Sequence, residues 1–571
     1  MVNKLIRLCF RYLDSILANA SVFIIEITLH SRQGWFDFLR LTSGHVAHHP
    51  EPIEGRDFQP NPHPRGERDS SFPLSEVLLR RVIALSLSVI RYPSLVILSL
   101  LFLFSFSFSS NSVAQELEPN TFGINATNQL EYSTDNKSHQ DIFHNWTDLD
   151  LSYGNYTANL RYEAHQPDDQ GVNWQKLSFR NLQLQSDPFN ITAGNYYVLI
   201  GRGLILRSYE NRDLRYDNNL DGVEGSVDYE GFHLTLLSGT AQGRYERLSD
   251  PLHAIDGKIS ATDWLVLGGS YLRTQITDLG LVRMFGGNAK LNLPHADLYA
   301  EYAKKDNPPG EYIQKDGEGR YLSANVYTSG AALTFEYKDY QRFDFSNQDV
   351  NFNNPPALTR EHIYTLLNRH AHILDLSDER GIQAEITTSP VEQLSILVNH
   401  SYTTDRKNRL VFTEFYGETE YDIQDKATVK TGFSRMENKD ELGAPYWLAP
   451  VADLTYYLSE SNSINFILEH LWTNKFDGKL TYYDQIMSLS LSHSPIASLT
   501  FAYERTTEWK IVQDWSGKKG WFMTTLDLTV GGNHNLSLGV GSRRKGKVCA
   551  GGICVDKPAL DGFEIKLLSR F

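Results

Sequence analysis

The chain has 571 residues, with 54 Lys or Arg against 69 Asp or Glu and a formal net charge of −15. It therefore lacks the basic surface that nucleic-acid binders present to phosphates, which excludes nucleic acid as the default partner. It holds 30 Tyr and 29 Phe but only 5 Met, its mean hydropathy is −0.37, and after residue 110 no apolar run reaches the roughly 20 residues of a helical membrane span.

Residues 1–81 mix short apolar patches (LANASVFIIEI) with a Pro-, His- and charge-rich stretch and show no sustained periodicity, which reads as an unstructured leader. His45, His48 and His49 lie there without a scaffold to fix ligand geometry. The longest apolar run, Leu95 to Phe108, follows Arg80, Arg81 and Arg91 and precedes Ser112-Val113-Ala114. A basic flank, an apolar stretch and small residues before a cut are the anatomy of a secretory signal peptide, so 82–114 is expected to be one, cleaved before Gln115. The leader upstream of it is then expected to be an over-extended reading frame. Residues 1–114 carry 11 Lys or Arg against 9 Asp or Glu, so their removal takes the net charge from −15 to −17.

From Gln115 onward, segments of about ten alternating residues recur between turn residues, the spelling of tilted membrane strands. Leu499, Phe501 and Tyr503 oppose Thr500, Ala502 and Glu504, and Leu536, Leu538 and Val540 oppose Ser537, Gly539 and Gly541. Short turns are expected at Gly154-Asn155, Ser186 to Pro188, Glu230-Gly231, Thr262-Asp263, Leu293-Pro294, Thr328 to Gly330, Ser389-Pro390, Gln424-Asp425, Glu460 to Asn462, Ser494-Pro495 and Gly531 to Asn533. Between them lie longer, more charged links, of which 199–220, 343–378 and 546–561 are the most extended. Short turns on one side and long links on the other follow the periplasmic and extracellular rule of outer-membrane barrels. The expected fold is all-β: a transmembrane antiparallel up-and-down barrel spanning 115–571, with 24 strands and 22 or 26 still open. In the last strand Phe563, Ile565, Leu567 and Phe571 share one face and Glu564, Lys566 and Arg570 the other, an apolar, aromatic-ended signal for outer-membrane assembly.

A barrel this wide cannot fill its lumen with wall side chains, so water, folded-in loops or a plug must occupy it. Only a few residues separate Gln115 from the first expected strand, near 119–133, so no separate amino-terminal plug is expected. The best internal constriction is 199–222, where Arg202, Arg207, Arg212 and Arg215 mix with Glu210, Asp213, Asp217 and Asp221 among Leu204, Ile205, Leu206 and Leu214. Such apolar residues fit an inward fold, and opposed charges in a narrow pore set ion selectivity. The rival is an outside loop laced with surface ion pairs worth little each. Asp217, Asn219 and Asp221 spell the first half of a calcium loop, yet Val223–Tyr229 alternates as a strand and carries Asp228 away. No cofactor is expected, with calcium the one weak candidate. Cys549 and Cys554 flank Gly551-Gly552 in the last long link and are expected to form a disulfide. Leu358 to Leu374 has helical spacing, with Ile363, Leu366, Leu367 and His370 on one side. His362, His370 and His372 there invite a metal or catalytic reading, against which stands the commoner case of solvated surface histidines.

Two stretches, GRGLILRSYENRDLRYDNNLDGV and VCAGGICVDKPALDGFEIKLLSRF, resemble an uncharacterised family of large Gram-negative outer-membrane β-barrels known only as a domain of unknown function. The resemblance implies a barrel and its location in the outer membrane, porin-like or transporter-barrel-like without a plug domain, and brings no activity.

Three functions compete. A channel or porin-like pore for small solutes, narrowed by an infolded 199–222, leads; a structural, assembly or secretion barrel acting with a periplasmic partner is the alternative. A membrane-embedded hydrolase is disfavoured, because no Ser/His/acid set or carboxylate pair falls together on one lumen face. Outer-membrane lipid and the barrel-assembly machinery are the expected surroundings.

Overall fold

A computed structural model describes residues 121–168, 170–276, 280–306, 316–439, 441–508, 519–550 and 553–571, without the side chains of 547–557. The leader, the signal peptide and its cleavage point lie outside the described residues.

Among the described residues, 24 strands form one antiparallel sheet from Phe122–Asp135 to Leu560–Arg570, the number the alternation of turns and links predicts. Each strand pairs with the next along the chain. The last pairs with the first, Thr127 opposite Arg570 through Asp135 opposite Gly562, and this closes the barrel. Closure leaves no unpaired edge, which is what a sheet needs in order to sit in hydrocarbon. At the seam the backbone of Phe571 exchanges hydrogen bonds with Ala126 at 2.9 and 3.2 Å. Phe563, Ile565 and Leu567 stand beside Val540, Leu538 and Leu536 on the same outward face.

The period of two places large apolar side chains outside. At the end with short turns, exposed Phe122, Tyr153, Tyr156, Phe189, Tyr229 and Trp264 form an aromatic girdle. Tyr302, Tyr402, Phe415, Phe433, Trp472 and Phe522 form a second one at the end with long links. Two girdles bounding an apolar band are the exterior of an outer-membrane barrel. The short turns fall where Gly, Asn, Asp and Pro place them, with one correction. The turn expected at Ser389-Pro390 lies at Glu392-Gln393, because the strand Asp378–Val391 runs on through a register shift between Thr388 and Val391.

The hydrophobic core sits in the lumen. Residues 197–219 leave the wall after the strand Phe189–Tyr196 and return at Leu220–Tyr229, although Tyr196 and Leu220 are direct partners in the sheet. Residues 342–377 do the same between Ala331–Gln341 and Asp378–Val391, where Gln341 faces Asp378. The first insert buries Ile200, Leu204, Ile205 and Leu206 against Leu252, Leu272, Met284 and Tyr340 of the wall and Phe343 and Phe352 of the second insert. The second insert also buries Tyr364, Leu366 and Leu367 against Phe412, Tyr416, Trp447 and Leu471. Each such side chain contributes on the order of 1.5–3 kcal/mol, which offsets the entropy of holding a long link in one conformation.

The helix expected over 358–374 does not form; the segment runs as turns and irregular chain. Leu358 adopts φ 55, and the backbone N–H of Leu366 donates to Glu469 Oε2 at 2.7 Å. Ile363, expected on the apolar face, is 78% exposed while Leu366 is fully covered. Wall contacts override local periodicity here.

Candidate functional site

The first insert begins with a turn that only glycine can make. Gly201 and Gly203 have φ of 64 and 86, and a β-carbon at Gly201 would run into the Glu301 carboxylate. The close approach lets Glu301 Oε2 accept from the Arg202 backbone N–H at 2.8 Å, while the Arg202 guanidinium lies over Tyr299. That turn closes the first of two short hairpins, Leu199–Ile200 with Leu206–Arg207 and Glu210–Asn211 with Tyr216–Asp217, which carry the charged tip into the lumen.

At that tip Arg212 bridges Asp148 at 2.8 Å and Glu210 at 2.6 Å and donates to Gln129 at 3.2 Å. Arg215 meets Glu131 at 2.5 Å and lies over Trp146. The wall answers with Arg161, which contacts Asp148 at 2.5 Å, Glu210 at 2.9 Å and Asp217 at 3.7 Å. Gln129, Glu131, Asp148 and Arg161 alternate with the outward-facing Leu130, Tyr132, Leu149 and Leu160, so the insert engages the lumen face of the first three strands. Burial pushes the Asp217 carboxyl up to about 6, against hydrogen bonds from the Asn219 backbone and side-chain N–H groups that pull it down.

The network gathers Glu210, Arg212, Arg215 and Asp217 and leaves others out. Arg207 lies over Tyr209 instead, and Asp213 is exposed beyond the tip, where it lines a cavity of about 600 Å³. Asp221 sits in the wall strand Leu220–Tyr229, with opposite parity to the lumen-facing Leu220 and Gly222, and meets Arg180 at 3.4 Å and Arg247 at 3.6 Å. Grouping it with the tip charges needs correction: the strand starts before it and turns its side chain away. The three residues of the calcium spelling are taken up by protein donors, Asp217 by Asn219, Tyr197 and Arg161, Asn219 by Asn195 and Arg247, and Asp221 by two arginines. Among the described residues no group of three metal-type side chains is preorganised.

The second insert is tied to the opposite wall. Arg360 pairs with Glu385, His362 with Glu414 at 2.8 Å, and Tyr364 donates to Asp453 at 3.3 Å. Arg369 meets Asp484 at 3.4 Å and Glu504 at 2.9 Å. The three histidines do not converge: His370 contacts Glu441 at 3.3 Å, and His372 contacts Glu379, which also holds the fully buried Lys338 at 3.1 Å. The two inserts then join. Arg207 N–H donates to Phe352 O at 2.8 Å, Asn354 N–H to Gly203 O at 3.1 Å, and Asn218 Nδ2 to Asn351 O at 3.0 Å. A continuous bridge of chain therefore crosses the lumen from the first strands to the strands Asn462–Lys475, Leu480–His493 and Ala497–Thr506.

The wall partners Glu131, Asp148, Arg161, Glu301 and Glu379 escape a search for motifs. Glu131, Asp148, Arg161 and Glu301 stand at lumen-parity positions inside their strands and Glu379 at the start of its own, but charges are ordinary on the polar lumen face of such barrels, so alternation alone does not mark them. The cysteines fall in the hairpin Gly546–Ala550 with Ile553–Lys557, whose register sets Cys549 directly opposite Cys554. Their side chains lie outside the described residues.

Several solved structures are similar to the chain. The E. coli P pilus tip assembly intermediate PapC-PapD-PapK-PapG matches with TM-score 0.48 and 9% identity over 81% of this chain and 63% of that one, so the present chain spans less than two thirds of it. The siderophore receptor PirA of Pseudomonas aeruginosa matches at 0.39 and 11%, covering 80% of this chain and 81% of that one. A BenF-like porin of Pseudomonas fluorescens matches at 0.35 and 12%, covering 57% and 96%. No curated protein matches the chain. The family model that does match covers residues 93–571, so the chain belongs to the family of unknown function DUF6029.

Proposed function

We propose that the protein is an outer-membrane channel for small solutes, a conduit narrowed by its own two inserts. The observation that carries this reading is the bridge of chain across the lumen, tied to both walls by charged side chains, with a cavity of about 600 Å³ left beside it. Opposed arginines and carboxylates at the tip of 199–217 set the local field that a passing ion meets. An insert held only by surface ion pairs would be loose; this one is anchored by a buried apolar core, so the constriction has a definite shape. Transport needs no covalent step, and the buried histidine and carboxylate pairs serve as anchors.

Planar-bilayer recording of the refolded mature chain tests the proposal. Stepwise ohmic openings are expected, with a reversal potential that shifts when Arg212 and Arg215 are replaced by Gln. Silence in bilayers together with co-purification of a periplasmic partner would return the chain to the assembly or secretion reading.

A further inference from the structure

We infer that the outer face of four neighbouring strands, Arg247–Thr262, Leu265–Ile276, Gly280–Leu293 and Ala296–Asp306, holds a phosphate-bearing lipid of the outer leaflet, with its phosphate on Arg273, Arg283 and Lys304 and an acyl chain in a notch beneath them. This goes beyond the channel reading and does not depend on it. Outward positions on these strands form rows, because directly opposed residues in an antiparallel pair share a face. Of three successive rows, the one nearest the long links sets His253 opposite Arg273, Arg273 opposite Arg283 and Arg283 opposite Asp306. The next carries Ile255, Tyr271, Phe285 and Lys304, and the third Gly257, Gly269, Gly287 and Tyr302.

Like charges directly opposite one another are destabilising, so two arginines in register call for an anion beside them. The protein supplies little. Asp306 approaches Arg283 only to 3.7 Å, and among the described residues neither Arg273 nor Lys304 has a carboxylate within ion-pair distance, although both are exposed. Elsewhere around the barrel the outward arginines above the girdle are engaged: Arg320 on Glu318 at 3.2 Å, Arg380 on Asp339 at 3.5 Å, Arg435 on Glu437 at 3.4 Å and Arg505 on Gln485 at 2.6 Å. Arg283 stands ten residues from Leu293 at the lower turn, about 33 Å of strand. At the usual tilt of about 40° that is about 25 Å of height, the full apolar band. The cations therefore meet headgroups.

Below them the glycine row lacks side chains over three strands, roughly 14 Å across. A β-carbon added at Gly257, Gly269 or Gly287 would meet nothing closer than 3.8 Å. Tyr271 and Phe285, with ring centroids 5.1 Å apart, form the upper lip of this notch, and Ile259 and Leu267 the lower one. Glycine weakens a strand, and inside one it often marks a close approach by another molecule. An acyl chain lying in the notch gives its lining the dispersion contacts it otherwise lacks on one side. Guanidinium forks above and an apolar notch below match the two ends of one molecule, a phosphate and an alkyl chain.

The test titrates the mature chain in neutral maltoside micelles with diphosphoryl lipid A and counts retained lipid by native mass spectrometry. One lipid per chain is expected. Arg273→Gln combined with Arg283→Gln is expected to weaken retention about 30-fold, since each cation near an anionic lipid surface is worth a factor of about five. Gly269→Leu is expected to weaken it several-fold, and Arg505→Gln to leave it unchanged. Lipid A stripped of its phosphates should bind the parent as weakly as intact lipid binds the double variant, an arm that needs no substitution. Equal retention of the stripped lipid overturns the phosphate contact, and displacement of intact lipid by excess inorganic phosphate overturns the acyl notch. A loss in Arg505→Gln as large as in the double variant overturns the site in favour of a diffuse belt of charge. A dimer in place of a lipid-bound monomer assigns the notch to a second copy of the chain and overturns the lipid.

Discussion

The half of the lumen wall toward the long links and the half toward the short turns belong to one barrel, alternate with one period, and differ in what lies on them. In the first, lumen positions carry Leu272, Met284, Tyr340, Phe412 and Trp447, all almost wholly covered by the inserts. In the second they carry Ser463, Asn465, Ser488, Ser490, Thr500 and Thr525, which are only half-buried. Alternation tells which face looks inward. The size and polarity of that inward face tell whether chain lies on it. A lumen-facing tryptophan in a wide barrel implies something to pack against, just as an unpaired apolar face does in a soluble protein.

The largest effect that would sharpen this contrast is removal of the first insert. Joining Val198 to Asn218 through a short Gly-Ser turn leaves the sheet intact, since Tyr196 and Leu220 already pair. Single-channel conductance is expected to rise several-fold with the barrel's far-ultraviolet circular dichroism unchanged. A conductance equal to that of the parent would mean that the insert does not obstruct the path.

The next effect is energetic. Lys338 and Glu379 are both fully buried, 3.1 Å apart, with the Lys338 ammonium also donating to Ala357 O and Glu379 accepting from the Asp375 backbone N–H at 3.1 Å. Glu379→Ala leaves a buried ammonium without its counter-charge, so a loss of about 3–5 kcal/mol is expected in urea unfolding from micelles. Asp527→Asn, on the exposed wall, is expected to change stability by no more than about 0.5 kcal/mol. Comparable losses in the two variants would erase the distinction between the two halves of the wall.

Closure, strand number and the outward face were legible because each follows from a local rule of period two or turn chemistry. The inward course of 199–217 is legible in part, through Leu204, Ile205, Leu206 and Leu214, which have no reason to lie in water. The second insert is not, because Ile363, Leu366, Leu367 and His370 mimic a helix while their partners Phe412, Trp447 and Glu469 lie up to a hundred residues away. Asp221 was misgrouped for a related reason: adjacency in sequence says nothing about which side of a strand a residue takes.

A smaller effect concerns the last link. The register places Cys549 opposite Cys554, with β-carbons in antiparallel partners about 4.5–5.5 Å apart. A disulfide there would make the intact chain lighter by two hydrogens before reduction and leave conductance unaltered by reductant. An unchanged mass after reduction would remove the crosslink.

The smallest effect is a response to pH at the insert tip. Asp217 is raised from 3.8 to about 6 by burial, with Glu210 adding repulsion. An acid raised in the folded state binds its proton more tightly there than in the unfolded chain. The stability it contributes is therefore complete below about pH 4 and is lost as pH rises through about 6. The hairpin around it reports the change, because Tyr209 N–H donates to Asn218 Oδ1 at 2.6 Å and Asn218 N–H to Tyr209 O at 3.3 Å. Once exchange rates are corrected for their intrinsic pH dependence, these amides are expected to be better protected at pH 5 than at pH 7. Asp217→Asn removes the titrating group and should flatten the profile, while the core amides of the covered wall stay constant in both proteins. A profile that is equally steep in Asp217→Asn would assign the response to another group, and a flat one in the parent would mean that the tip is wetter than its packing implies.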